Sequence, residues 1–325
     1  MKSMHIHLAY DPDGPAELCP VEARIREEIE SLSSAETRIA FTAAPEAAGI
    51  PPGTEVLYAA GGITAAGARA AAPGLAWMQI TSAGVEKHMK GFPEGLALTN
   101  ASGVHAAKGG EYALAAALML TYQVPKFVED RAARRWEPVF GPTLGAKTVT
   151  LLGTGAIGAG AARALRPTGC RLIGVNRSGE TGAPVDRCVA TDALDAVLPE
   201  TDILISTLPL TPLTEGLVDR RRIDLLPEGA GVVVLGRARV LDYAAIFDRL
   251  DAGTLGGAVL EVFPEEPAPE HDRMWTTPRV ITSPHCNVDD HATYIAACDA
   301  IFLDNLRRYL AGEPLANRVD PTLGY

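Results

Sequence analysis

The sequence lacks closely spaced cysteines and long apolar runs. Its five cysteines are scattered over 325 residues without a C-x-x-C pair, so we expect free thiols in a reducing compartment and no metal site. No apolar run reaches the roughly 18 residues that a membrane-spanning helix needs. The opening residues MKSMHIHLAY lack the charged region and the apolar core of a signal peptide. These absences predict a cytoplasmic protein.

The sequence also lacks an excess of positive charge. Its 29 basic residues are outnumbered by 40 acidic residues, which leaves a formal net charge of -11. That charge repels nucleic acid and anionic membranes at long range, so we expect neither as a partner. The length and the 47% of hydrophobic residues instead favour two globular domains, each with its own core.

The stretch from Lys147 to Ser178 contains the strongest motif. Strands are predicted at Thr148 to Leu152 and at Arg171 to Val175, with a helix from Ala159 to Leu165 between them. Three glycines before the helix have the G-x-G-x-x-G spacing of a dinucleotide-binding loop. They permit a tight turn, a close approach to a pyrophosphate and close packing of the helix. The loop residues that we expect to bind the cofactor are Gly153, Thr154, Gly155, Ala156, Ile157 and Gly158.

The three residues after the second strand predict a preference for NADP over NAD. In NAD-binding sites of this kind, an Asp or Glu at this point accepts hydrogen bonds from the ribose 2'-hydroxyl. This chain has Asn176, Arg177 and Ser178 instead, which leaves room and positive charge for a 2'-phosphate. The alternative that Arg177 is only a solvated turn residue leaves NAD open.

Short apolar segments alternate with helical segments along the rest of the chain, which predicts parallel, doubly wound sheets of the α/β class. Residues 4–10 alternate in polarity and predict a strand with one buried face, with His5 and His7 on a solvated face rather than at a metal site. Glu111 to Leu120 is apolar around nearly its whole circumference, so we expect a helix buried against a core or a partner subunit. A final helix is predicted from about Ala292 to Leu310. Further strands are predicted at 54–60, 75–81, 202–207, 231–235, 257–262 and 279–282.

Three motifs follow the glycine-rich loop in a fixed order. VVVLGRARVLD contains Arg237, GAVLEVFPEEP contains Glu266, and ITSPHCN contains His285. On these motifs the chain resembles the D-isomer specific 2-hydroxyacid dehydrogenase family. TNASGVHAAKGGEYALAAALML, TLPLTPLTEGLV and NRVDPTLGY also look like family segments, so the resemblance covers nearly all of the chain. It implies that Arg237 is the catalytic arginine, Glu266 the catalytic acid and His285 the proton donor.

The resemblance also implies the architecture: two Rossmann-like domains with the active site in the cleft between them. Residues 1–101 together with 288–325 would form the substrate domain, and residues 102–287 would form the dinucleotide-binding domain. Two subunits would pair through the latter domain as a homodimer. The substrate would be bound by Arg237 and by backbone N–H groups of one loop, namely Ser82, Ala83, Gly84 and Val85. The further cofactor-binding residues would be Thr207, Leu208, Pro209, Leu235, Gly236 and Glu261.

The residue types suit the reduction of a 2-keto acid. Hydride goes to the carbonyl carbon while the carbonyl oxygen takes a proton, so an acid such as His285 must stand beside that oxygen. A carboxylate such as Glu266, which accepts from the other ring nitrogen, orients the ring and stabilises its protonated form. The substrate carboxylate and the developing alkoxide need a fixed cationic fork, which Arg237 provides and a lysine does not.

Four positions depart from the family pattern. The chain has Ala238 where the family usually has glycine, and Glu261 where relatives have an aspartate that faces the nicotinamide carboxamide. It has Cys286 and Asn287 where the family often has glycines. Cys286 and the nearby His291 also suggest a metal or thiol site, but no second cysteine or carboxylate lies at ligand spacing.

The sequence therefore predicts an NAD(P)-dependent 2-keto acid reductase that acts on small acids of the glyoxylate or hydroxypyruvate kind. A nucleotide-sensing regulator stays open, because the C-terminal-binding corepressors share this fold and keep the three catalytic residues. The acidic composition argues against it. Phosphite oxidation also stays open, whereas the formate enzymes of the superfamily have glutamine where this chain has Glu266.

Overall fold

In the computed structural model, which describes residues 2–33 and 37–325, the chain forms two compact units. The first contains the residues up to Val104 together with Asp290–Tyr325, and the second is His105–Asp289. The division predicted from the sequence, at residues 101/102 and 287/288, stays a prediction. The assignment of substrate and cofactor binding to the units stays a prediction.

The first unit is built on a five-stranded parallel sheet. Its strands are β1 (Lys2–Tyr10), β2 (Thr37–Pro45), β3 (Val56–Ala60), β4 (Trp77–Ile80) and β5 (Ala97–Thr99). Its helices include α1 (Glu22–Leu32), α2 (Ala65–Ala71) and α3 (Glu86–Met89). The strands lie in the order β2-β1-β3-β4-β5. The sequence does not predict β2 or β5, because β2 is an edge strand with exposed positions and β5 has only three residues.

The predicted solvated face of β1 is wrong at His7, which is buried, whereas His5 on the same face is half-buried. His7 is 1% exposed. His5 and His7 each place a ring nitrogen 2.8 Å from Thr42 Oγ1 on β2. The strand lies between β2 and β3, and helices cover both faces of a parallel sheet. Burial therefore lowers the pKa of both histidines.

The second unit is built on seven parallel strands. They are β6 (Thr148–Leu152), β7 (Arg171–Asn176), β8 (Arg187–Ala190), β9 (Ile203–Ser206), β10 (Gly231–Val234), β11 (Gly257–Leu260) and β12 (Val280–Thr282). The helices are α4 (Ala106–Thr121), α5 (Val124–Ala132), α6 (Ala156–Leu165), α7 (Leu194–Val197), α8 (Arg220–Asp224) and α9 (Tyr243–Asp251). The strand order is β12-β11-β10-β9-β6-β7-β8, so the winding reverses at β6. This order confirms the predicted doubly wound α/β fold, in which ligands bind at the carboxyl ends of the strands beside the reversal.

Helices α4 and α6 cross in backbone contact. A Cβ atom added to Gly160 on α6 would lie 2.0 Å from the carbonyl oxygen of Ala106. A Cβ atom added to Gly110 on α4 would lie 2.7 Å from the carbonyl group of Gly160. Ala113 and Ala116 continue the buried side of α4 into the core of the second unit. The sequence predicts that this apolar helix is buried against a core or a partner subunit. The core of its own unit buries the side that carries these residues.

The last helix, α10 (Tyr294–Ala311), belongs to the first unit. Phe302 stacks on Tyr58 with their ring centroids 4.4 Å apart. The Tyr58 hydroxyl donates to the Asp299 carboxylate at 2.8 Å, and burial raises the pKa of Asp299. Gly312 ends the helix in the left-handed conformation, with φ +70°. Across the described part of the chain, no helix combines the length and apolar character of a membrane span.

Candidate active site

The glycine-rich loop joins β6 to α6 where the sheet reverses. Gly153 has φ +101°, and a Cβ atom there would lie 2.7 Å from Thr207 Oγ1. A Cβ atom at Gly158 would lie 2.0 Å from the Gly153 carbonyl oxygen, so only glycine lets the helix pack this closely. Apart from its neighbours along the chain, no residue of the described ranges has an atom within 4 Å of a Cβ built on Gly155. That open space lies at the N-terminus of α6, where helix N–H groups can receive a pyrophosphate.

The other residues predicted to bind the cofactor include several that follow neighbouring strands at this edge of the sheet. Thr207 follows β9, and its hydroxyl donates to the Gly153 carbonyl at 3.1 Å. Gly236 follows β10, and a Cβ atom there would lie 2.4 Å from the carbonyl oxygen of Leu208. The ends of β6, β9 and β10 therefore lie close together beside the open space of the loop. A dinucleotide therefore fits the residues present, and their individual contacts with it stay predictions.

Asn176 shapes the turn after β7. Its Oδ1 accepts from the backbone N–H groups two and three residues further on, at 3.0 Å and 2.7 Å. Its Nδ2 donates to Thr154 Oγ1 and to the Glu180 carbonyl, both at 2.7 Å. The amide thus ties the turn to the glycine-rich loop. Arg177 and Ser178 are exposed on this turn.

In the first unit, the predicted substrate-binding loop follows β4. The Ser82 carbonyl accepts from the backbone of Ala101 at 3.0 Å, and the Ala83 carbonyl accepts from Asn100 Nδ2 at 2.8 Å. The Gly84 carbonyl accepts from the Ser82 hydroxyl at 2.9 Å. Within residues 2–33 and 37–325, the N–H groups of residues 82–84 donate to no acceptor. The three carbonyls of the loop thus have hydrogen-bond donors within the first unit, and the binding of a substrate by its N–H groups stays a prediction.

The loop after β3 is held by charged side chains that the sequence does not reveal as functional. Gly62 donates its N–H to Glu46 Oε2 at 2.6 Å. Lys87, just after the loop at β4, donates from Nζ to the Gly61 carbonyl at 2.9 Å. The two loops at the carboxyl ends of β3 and β4 are thus linked within the first unit.

Arg237 lies at the carboxyl end of β10. Its Nη1 donates to the carbonyl of Gly236 at 3.0 Å, and the side chain is half-buried. A guanidinium has five N–H donors in a rigid planar fork, and this bond helps to orient that fork. Such a group can hold a carboxylate in a fixed geometry.

His285 and Glu266 are in direct contact. His285 Nδ1 lies 2.8 Å from Glu266 Oε2, while Glu266 Oε1 accepts from the backbone N–H of Phe263 at 2.8 Å. Because an ionised carboxylate only accepts hydrogen bonds, Nδ1 carries the proton in this contact. Nε2 is then the nitrogen that can face a substrate.

Tyr243 on α9 holds the turn that carries Glu266, a role that the sequence does not indicate. Its hydroxyl donates to the Val262 carbonyl at 2.6 Å. Burial, and after it the charge of Glu266, raises the pKa of Tyr243. The tyrosine therefore remains a hydrogen-bond donor at neutral pH.

Arg237, Glu266 and His285 follow three neighbouring strands, β10, β11 and β12. A pocket of about 680 Å³ opens beside the His285–Glu266 pair within the second unit. Apart from the pair, its walls are mainly apolar. They are formed by Phe263, Pro267, Ala268, Met274, Trp275, Thr282, Ser283 and Pro284. A concave apolar wall with a few polar groups is typical of small-molecule sites.

The positions that depart from the family pattern have different surroundings. Ala238 is buried in the core, and Cys286 is exposed. Glu261 is fully buried, and its carboxylate accepts from the Ser283 hydroxyl and from the backbone N–H of Asn287. The sequence indicates Glu261 only as a cofactor contact and does not indicate Ser283 at all.

Comparisons with known proteins place these features in a family. Residues 114–287 match the model of the D-isomer specific 2-hydroxyacid dehydrogenase, NAD binding domain. Glyoxylate/hydroxypyruvate reductase A of Salmonella newport (strain SL254) is 34% identical over 194 residues, which cover 58% of this chain. The match spans 60% of the length of that relative.

Solved structures share the fold over nearly the whole chain. A D-isomer specific 2-hydroxyacid dehydrogenase from Xanthobacter autotrophicus Py2, in complex with NADPH and MES, is 25% identical with a TM-score of 0.82, covering 98% of this chain and 99% of that chain. An NADPH-dependent glyoxylate/hydroxypyruvate reductase from Sinorhizobium meliloti, in complex with NADP and sulfate, is 24% identical with a TM-score of 0.77, covering 100% of both chains. With the family's NAD-binding domain matched over residues 114–287, the chain belongs to the D-isomer specific 2-hydroxyacid dehydrogenase family.

Proposed function

We propose that this protein reduces small 2-keto acids of the glyoxylate or hydroxypyruvate kind to 2-hydroxy acids, with NADPH as the preferred cofactor. The observation that carries the proposal is the 2.8 Å contact between His285 Nδ1 and Glu266 Oε2. The pair lies at the sheet edge that also carries Arg237. The similarity to a glyoxylate/hydroxypyruvate reductase A at 34% identity supports the choice of substrate.

Each of the three side chains has a chemical step that it can perform. Arg237 binds the substrate carboxylate and stabilises the negative charge that develops on the carbonyl oxygen. His285 gives its Nε2 proton to that oxygen, and Glu266 stabilises the protonated ring through Nδ1. NADPH, when bound, supplies the hydride to the carbonyl carbon. We also propose that the N–H groups of Ser82–Val85 bind the substrate carboxylate.

A panel of 2-keto acids assayed with NADPH and with NADH tests the proposed reaction. We expect turnover of glyoxylate and hydroxypyruvate, measured as loss of absorbance of the reduced cofactor. Binding of NADPH without turnover of any 2-keto acid would instead favour a nucleotide-sensing regulator. Phosphite and formate with the oxidised cofactor complete the panel, and oxidation of either would identify another enzyme of the same fold.

The cofactor preference is tested by Asn176→Asp. An aspartate keeps the acceptor for the turn, but it cannot donate to Thr154 or to the Glu180 carbonyl, so one of its oxygens becomes available for a ribose 2'-hydroxyl. We expect the ratio of kcat/KM for NADPH to that for NADH to fall by about tenfold or more. Hydrogen bonds to charged groups are worth roughly 1.5–3 kcal/mol, and 1.4 kcal/mol is a factor of ten.

The control for this substitution is kcat at saturating NADPH, which should change little because proton transfer takes place at His285. If the parent protein uses NADH as well as or better than NADPH, the proposed preference is wrong. If Asn176→Asp leaves the ratio of kcat/KM for NADPH to that for NADH unchanged, this turn does not contact the 2'-position of the ribose.

We further propose that the protein is a homodimer whose interface includes residues 133–143 of the second unit. In this segment, which follows α5, Trp136 is 96% exposed and Phe140 is 92% exposed. Asp130 on α5 accepts from Arg135 Nε at 2.9 Å and so anchors the start of the segment. Large aromatic side chains of this kind are enriched at protein interfaces.

Sedimentation velocity of the parent and of Trp136→Glu/Phe140→Glu tests the interface. We expect a dimer for the parent and a monomer for the double variant, because two buried carboxylates would face an apolar partner surface. Leu213→Ser is the control, since Leu213 is also exposed but lies outside the segment. A parent that sediments as a monomer, or a double variant that remains dimeric, contradicts the proposed interface.

A further inference from the structure

Glu261 is the most deeply buried acid near His285. Its side chain is 0% exposed, although a carboxylate is rarely buried without partners. Oε1 accepts from the backbone N–H of Asn287 at 2.6 Å, and Oε2 accepts from the Ser283 hydroxyl. The backbone carbonyl of Glu261 accepts from the N–H of His285 at 3.0 Å. One residue thus contacts the segment before, at and after His285.

The segment held in this way has an unusual backbone. His285 has φ +49°, in the left-handed region, which non-glycine residues adopt seldom and at a cost. Such a conformation persists only where the surroundings determine it. The three contacts of Glu261 fix both ends and the centre of the turn. They therefore stabilise the left-handed conformation of His285.

The contact with Ser283 continues into a longer polar chain. Tyr112 on α4 places its hydroxyl 2.9 Å from Ser283 Oγ. Because Ser283 donates its single hydroxyl proton to Glu261, Tyr112 donates to Ser283. This series of hydrogen bonds therefore connects α4, the residue after β11 and the turn of His285. The donor in each of its hydroxyl hydrogen bonds is defined.

We propose that Glu261 is a positioning residue that holds His285 in place through Ser283 and Asn287, an inference that rests on the proposed function of His285. The family resemblance predicts a shorter aspartate here that faces the cofactor. Glutamate is longer by one methylene group, and in this chain both of its oxygens contact the turn. The longer side chain thus contacts the turn of the proton donor His285 instead of the cofactor. We call its two carboxylate contacts, with Ser283 and with Asn287, the clamp.

Three variants separate these two roles: Glu261→Ala, Glu261→Gln and Ser283→Ala. Glu261→Ala removes the clamp, and we expect kcat with a 2-keto acid to fall roughly 10- to 100-fold, since a misplacement of about 1 Å can cost that much. The Kd for NADPH should change by no more than about threefold, well under the tenfold that 1.4 kcal/mol represents. Glu261→Gln keeps the length and can still accept from Asn287, so it should lose less activity than Glu261→Ala.

Ser283→Ala tests the clamp from its other end, where no cofactor contact is predicted. It should lower kcat in the same direction, and the double variant with Glu261→Ala should be no worse than Glu261→Ala alone, because both act through one contact. Glu228→Ala is the matched control, since Glu228 is exposed on the loop before β10, at the opposite end of the strand from Arg237. Additive losses in the double variant would overturn the proposal.

A second measurement does not depend on activity. Hydrogen exchange followed by mass spectrometry should show faster exchange in peptides covering residues 283–288 of Glu261→Ala and Ser283→Ala, with β6 peptides unchanged. If the parent reduces no 2-keto acid, the proposed function fails while exchange still tests the clamp. Unchanged exchange of residues 283–288 in both variants would overturn the proposed clamp. A large rise in the Kd for NADPH of Glu261→Ala at unchanged kcat would also overturn it.

Discussion

His285→Ala is expected to lose roughly 10²- to 10⁴-fold in kcat/KM for 2-keto acid reduction, the usual contribution of a positioned general acid. The reason lies in the geometry of the ring. Nδ1 is held 2.8 Å from Glu266 Oε2, so Nε2 can face the substrate oxygen and give it a proton. Alanine has no proton to give, and water must replace the donor. Steady-state rates of NADPH consumption measure the loss.

A matched control comes from His271→Ala, because His271 is an exposed histidine in the same unit. It should keep the parent rate. In the parent, reduction takes a proton from the ring and oxidation returns one, so the two directions should depend on pH in opposite senses. A His285→Ala enzyme with a rate within tenfold of the parent would show that another group transfers the proton.

Arg237→Lys is expected to lose roughly 10²- to 10³-fold in kcat/KM, the range seen when a donor to a developing oxyanion is removed. Arg237 Nη1 donates to the Gly236 carbonyl at 3.0 Å, which helps to orient the planar fork. A lysine ammonium is a single point on a flexible stem, so it cannot both bind this carbonyl and present a fixed pair of donors to a carboxylate. The charge is kept in this variant, and only the geometry changes.

The separate effects of Arg237→Lys on kcat and on KM show whether Arg237 acts on the transition state or only on the bound substrate. We expect kcat to fall as well as KM to rise, because the arginine acts on the developing alkoxide as well as on the carboxylate. Arg239→Lys, two residues along the chain and exposed, is the control and should behave as the parent. A rise in KM at unchanged kcat would mean that Arg237 only binds the ground state of the substrate.

Much of the cofactor loop can be predicted from sequence because its determinants are local. Gly153, Gly155 and Gly158 lie within six residues of each other, and their spacing follows from the contacts of one turn with one helix. The observed β6 has the predicted bounds, Thr148–Leu152. Helix α6 begins at Ala156, before the predicted Ala159, because residues 156–158, which follow the extended Gly155, are already helical.

By itself, the sequence determined the class of fold, the dinucleotide loop and, through resemblance, the pairing of Glu266 with His285. Only the tertiary structure decided that His7 is buried, that Gly160 meets the backbone of Ala106, and that Glu261 grips both sides of His285. These contacts join residues that lie far apart in the chain. Periodicity and spacing report the neighbours of a residue along one element, whereas the order of strands and the crossing of helices set which distant residues meet.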